Sequence, residues 1–103
     1  MAKFMFVYYG GKMETDPKKQ KESMDTWMKW FAGLGKAVVD AGNPTMPGKI
    51  VAKKGNKDIS GDIITGYSII QAADMDAALK LAKGSPQLDA GGQIAVYSIM
   101  EMM

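Results

Sequence analysis

The side chains that could do chemistry here are few, and the residue types that are missing narrow them further. The 103 residues include no Cys and no His. That removes thiol nucleophiles, thiolate and imidazole metal ligands, disulfides, and the general base that most often works near neutral pH. All 13 basic residues are Lys, so no guanidinium fork can clamp a phosphate or carboxylate in two places. Asp, Glu, Lys, Tyr and backbone amides remain. Asp58, Asp62 and Asp74 lack the spacing of a hard-metal loop. No metal site, no cofactor and no catalytic residue is assigned.

Five residues are candidates to touch a ligand: Tyr8, Tyr9, Trp30, Asn43 and Tyr67. Tyr8 and Tyr9 are neighbours on an apolar strand, so they point to opposite faces and one of them enters any cavity on a given side. A phenol there orients a ligand, although a Tyr hydroxyl at a wet rim needs no ligand to explain it. Asn43, in "AGNP", would hold its amide at a cavity mouth, yet Asn after a helix-ending Gly is ordinarily turn chemistry. "DAGG", Asp89 to Gly92, is flexible enough to cradle a phosphate. It lacks the Gly-Lys-Ser/Thr ending and leads into a strand, so turn geometry is the better account.

The elements that must position these residues follow from the apolar pattern. "KFMFVYY", Lys3 to Tyr9, is a strand apolar on both faces. Asp16 and Pro17 cap and open a helix expected to run from Pro17 to Ala41, stopped by Gly42. Met24, Trp27, Met28, Phe31, Leu34 and Val38 form its sheet-packing stripe. Trp30 lies about a quarter turn from the stripe's centre and walls a pocket or a subunit contact if it is more than an edge residue. Gly33 and Gly35 weaken the helix and suggest close approach to the sheet or a bend.

Beyond this helix, an edge strand is expected around Lys49 to Lys53, then a turn through Gly55 and Asn56. "IITGYSIIQAA", Ile63 to Ala73, reads as a central strand. Asp74 caps a second helix, "MDAALKLAK", which ends at Gly84. "SPQLDAGG" loops to a last strand in "GGQIAVYSIMEMM", where Ile94, Val96 and Met100 oppose Ala95, Tyr97 and Ile99.

This order is α+β: a ferredoxin-like βαββαβ arrangement in one domain spanning residues 1–103. Right-handed crossovers place both helices on one face of a four-stranded antiparallel sheet. The other face is then apolar and bare, and a second copy of the chain is the expected cover, with a cavity between the sheets. Ten Met residues suit an adaptable cavity or interface, with gap-filling as the default. Net charge is only +2 and the Lys groups carry no recognition motif, so no nucleic-acid partner is expected. No apolar run is long enough to cross a bilayer and no secretory signal is evident, so no membrane partner is expected and the chain reads as cytoplasmic.

"MDTWMKWFAGLGKAVVDAGNP" and "GYSIIQAADMDAALKLAKGSPQLDAGGQIAVYSIMEM" resemble the YCII-related family of small bacterial proteins, sometimes named for a DGPF motif. The second block is the more specific, joining a Gly-Tyr strand, an Asp-capped helix, a Gly-x-Pro loop and a Gly-Gly strand entry. The resemblance implies a dimeric α/β barrel and, in some relatives, a His–Asp pair. This chain has no His, and "KDISGDIITG" stands where DGPF is expected, so no catalytic residue carries over. The leading functional reading is a non-catalytic small-molecule-binding or assembly module. The alternative is an enzyme acting on a small apolar or aromatic substrate, of isomerase or cofactor-independent oxygenase type. A polar group with a shifted pKa inside a roomy cavity would favour the enzyme, and a cavity filled by Met and aromatic side chains the module.

Overall fold

The computed structural model describes residues 1–11, 15–61 and 63–101. Strand β1, Ala2–Gly10, occupies the interior of a four-stranded antiparallel sheet with β5, Ile64–Ala72, on one side and β6, Gly92–Ser98, on the other. Strand β2, Val38–Asp40, pairs with the outer side of β5, giving the order β2-β5-β1-β6. Helix α1, Pro17–Leu34, follows β1; helix α2, Met75–Ala82, and the short α3, Pro86–Asp89, join β5 to β6. The fold is the expected ferredoxin-like one.

Alternation along the strands divides the sheet into two faces. Phe4, Phe6 and Tyr8 from β1 and Ser68, Ile70 and Ala72 from β5 are buried on the helical side. Ala78 and Ala82 of α2 and Trp27, Trp30 and Leu34 of α1 close over them. Met5, Val7 and Tyr9, with Tyr67 and Ile69, take the alternate positions and stay half-buried, so the second face is apolar and open within one chain.

Both predicted N-caps form: Asp16 accepts from the Lys18 N–H at 3.0 Å and Asp74 from the Ala77 N–H at 2.9 Å. Helix α1 ends earlier than its periodicity suggests. Gly35 turns into the left-handed region at φ 58°, a short 3₁₀ turn follows over Gly35–Ala37, and Val38 enters β2 instead of extending the helical stripe. A Cβ at Gly33 or Gly35 would meet nothing within 4 Å, so neither glycine permits close approach to the sheet. Gly35 serves the helix stop that was assigned to Gly42.

The expected edge strand is also relocated. Lys49–Ala52, β3, pairs only with Gly55–Asp58, β4, in a separate exposed hairpin carrying a Lys49–Asp58 ion pair. The turn falls on Lys53 and Lys54, while Gly55 and Asn56 begin β4. The main sheet takes its edge from Val38–Asp40, where the alternation is too short to read by pattern. The last strand ends at Ser98, and the clustered Met102 and Met103, like Asp62, lie outside the described residues.

Helix α1 carries no fully buried residue. Of its expected stripe, Met24 and Met28 are 65% and 66% exposed, whereas Trp30, expected at the edge, packs on the core. Phe6→Ala should therefore cost about 3–5 kcal/mol in urea unfolding, and Met24→Ala within about 0.5 kcal/mol. A Met24→Ala cost near that of Phe6→Ala would mean that α1 buries a different face.

Candidate functional site

Where α1 overhangs the sheet, its exposed Met side chains and the ends of β1 and β5 enclose a cavity of about 640 Å³, within the range that holds small ligands. Met24, Trp27, Met28 and Phe31 wall it from the helix, Tyr8, Thr65 and Gly66 from the sheet, and Gln87 and Ala90 from the segment around α3. The loop over 41–44, leading away from β2, completes it. Among the described residues no charged side chain belongs to this wall, and no three His, Cys, Asp or Glu side chains group to hold a metal ion.

Tyr8 is the most constrained polar group. It is 4% exposed, with its ring edge-on to Trp27 at 4.9 Å between centroids and to Trp30 at 6.5 Å. Its hydroxyl donates to Ser68 Oγ at 2.8 Å, and Ser68 donates to the Ala41 carbonyl at 2.6 Å. The carbonyl can only accept, so the Ser68 proton is committed there and the Tyr8 proton must go to Ser68. Burial disfavours the phenolate and pushes the Tyr8 pKa up from 10.0 to about 12, with the Ser68 hydrogen bond acting in the opposite direction.

Gln87, 7% exposed, is oriented by the backbone of β1. Its Nε2 donates to the carbonyls of Tyr9 and Gly10, both at 3.1 Å. Ser85 caps α3 through the Gln87 N–H at 3.2 Å, which fixes where the side chain starts. Gly92 makes room for it, because a Cβ there would lie 2.2 Å from Gln87 Nε2. Gly42 performs the same service for the loop: at φ 75° its missing Cβ would fall 1.8 Å from the Tyr67 carbonyl oxygen, and its N–H donates to Asp40 at 2.8 Å. The loop is further tied to β5 by Thr45, which donates from its N–H to Thr65 O at 3.0 Å and from its hydroxyl to Ile64 O at 2.9 Å.

The structure brings Tyr8, Asn43 and Tyr67 to one wall. Tyr9 points to the open face, and only its carbonyl serves the site, by holding Gln87. Trp30 is not on the wall. It stacks on Phe6 at 6.5 Å and backs Trp27 and Phe31. The Tyr8 hydroxyl is buried and bonded rather than at a wet rim. This cavity lies on the helical side of the sheet, opposite the face on which a space between two copies is expected. Sequence reasoning missed Gln87, whose only cue was the cap-and-proline start "SPQ", and Ser68, which alternation alone would have placed beside Tyr8.

The YCII-related domain matches residues 2–103. No curated protein matches the chain. Among solved structures, 5-chloro-2-hydroxyhydroquinone dehydrochlorinase from Burkholderia phenoliruptrix, in complex with 2,5-dihydroxybenzoquinone, is similar over 95% of this chain and 95% of its own. Its TM-score is 0.57 and its sequence identity 16%, a likeness of fold.

The raised Tyr8 pKa has a sign that can be checked. Stability arising from the protonated phenol is complete below about pH 10 and is lost as pH rises through about 12. Alkaline titration should show a phenolate absorbance step near pH 12 that disappears in Tyr8→Phe. Persistence of that step in the variant would assign it to another tyrosine. Separately, Gly42→Ala should lower the melting temperature by well over 5 °C, since it combines a left-handed φ with a backbone clash; an unchanged melt would mean that the loop sits elsewhere.

Proposed function

Since the chain belongs to the YCII-related family over nearly its whole length, and the described residues of its cavity wall offer carbon and neutral polar groups, we propose that it binds a small, planar, mainly apolar molecule between α1 and the sheet. The observation that carries this reading is the wall itself: Met24, Met28, Trp27 and Phe31 around about 640 Å³, with no charged side chain among the described residues that line it. Thioethers adapt to a ligand's outline and aromatic faces stack on a flat ring. An ionic ligand would leave water without a countercharge in return.

Catalysis in the same cavity is the second reading, and Tyr8 is the observation in its favour. Its pKa is displaced inside a roomy cavity, the mark of many working groups. The displacement runs away from neutrality, so the phenol serves as a fixed hydrogen-bonding group and not as a base. Among the described wall residues, which include no Lys or carboxylate, it is the titratable group with a displaced pKa. The dehydrochlorinase that shares the fold is named for an aromatic substrate, which is consistent with either reading.

The open sheet face is assigned to a second copy of the chain. Met5, Val7, Tyr9, Tyr67 and Ile69 form an apolar surface that a self-complementary pairing would bury. The helical-side cavity then belongs to each protomer separately.

Ligand-observed NMR with naphthalene should report binding to the native chain. Ala90→Phe, which fills the wall from an exposed position, should weaken it at least tenfold with unchanged circular dichroism. Absence of binding by the native chain would overturn the cavity reading. Native mass spectrometry should give twice the chain mass, and Val7→Lys on the open face should give folded monomer. A monomeric native chain would remove the dimer without touching the cavity.

A further inference from the structure

The protons of the wall's inner polar groups are already committed to the protein, and this selects the ligand's chemistry. Tyr8 donates its single hydroxyl proton to Ser68. Thr65 donates its own to the Tyr8 carbonyl at 3.3 Å. Gln87 spends its amide donors on the Tyr9 and Gly10 carbonyls; turning the amide over would set oxygen against oxygen, so its orientation is fixed. What each retains is an oxygen lone pair. Gln87 Oε1 accepts no hydrogen bond among the described residues.

Among the described wall residues the remaining side-chain donors are the Trp27 indole and the Asn43 amide. They belong to half-buried or exposed residues, which can donate to water. The two polar side chains most withdrawn from water, Tyr8 and Gln87, therefore offer acceptors. A buried acceptor facing an aprotic ligand loses its water and gains nothing, whereas a ligand hydroxyl repays that loss.

The geometry points to a ligand that is a neutral hydrogen-bond donor, a hydroxyarene in its protonated form, whose O–H is read by Tyr8 Oη and Gln87 Oε1 while its ring lies against Trp27, Met28 and Phe31. A carboxylate, a phenolate or an aryl ether of the same shape brings only acceptors and is rejected. This selectivity rests on the cavity reading above and adds to it the polarity of the site.

The test compares 2-naphthol, 2-methoxynaphthalene and 2-naphthoate, with naphthalene as the shape control, at a pH where the naphthol is protonated. 2-Naphthol should bind at least tenfold tighter than the ether and the carboxylate. Tyr8→Phe and, as a second variant, Gln87→Met should each narrow the naphthol-to-ether ratio at least threefold while naphthalene binding stays within twofold. Equal affinity for naphthol and ether, or a preference for naphthoate, overturns the donor assignment and leaves the cavity standing. A ratio unchanged in every variant that folds overturns the assignment to these oxygens. Failure of all four probes, naphthalene included, overturns the cavity reading and this inference with it.

Discussion

A phenol buried at the end of the central strand must find a partner for its hydroxyl, and the way Tyr8 finds one organises this protein. Its proton goes to Ser68 on β5, and the Ser68 proton goes to the carbonyl of Ala41, in the loop beyond β2. An unpaired buried hydroxyl costs about 1–3 kcal/mol, so each link holds the next in place. The chain thereby locks three segments distant in sequence, the end of β1, the middle of β5 and the loop carrying Gly42, around one space. Burial of the phenol also raises its pKa to about 12, extending its neutral form further into the alkaline range.

Helix α1 divides its apolar surface between two tasks. Trp27, Trp30 and Leu34 press on the core, and Trp27 turns a second side to the cavity shared with Met24, Met28 and Phe31. The cavity lies between these side chains and the ends of β1 and β5, beside the loop that Pro44 and Thr45 tie to β5. The exposed Met24 and Met28 line the cavity, while the residue expected at the stripe's margin, Trp30, packs on the core.

Lack of His, Cys and Arg leaves this site with an unusual economy of means. In the proposed binding role, specificity rests on shape, ring stacking and the direction of a few hydrogen bonds, each set by a backbone carbonyl that can only accept. Ala41, Tyr8, Tyr9 and Gly10 supply those carbonyls. The groups that orient these side chains are thus main chain, which sequence change at those positions leaves in place. The two glycines that admit it, Gly42 and Gly92, are the positions where a side chain would collide with it.

The sequence by itself determined the architecture. Alternation in "KFMFVYY" and "IITGYSIIQAA" and the Asp caps are local signals, and the elements they announce are present. It also excluded whole chemistries through missing residue types. What it could not carry was the assignment of residues to faces where patterns were short or shared. Val38 continued the helical period yet belongs to a strand, because Gly35 reaches a left-handed φ that breaks the helix first. Lys49–Ala52 resembled a sheet edge but found its partner only in its own hairpin. The site was the least legible part. Tyr8 was visible as a candidate, but Gln87 and Ser68 join it through contacts 60 to 78 residues away in the chain, and no local pattern encodes such a meeting. Which hydroxyl gives its proton to which oxygen was decided only when the folded backbone placed its carbonyls.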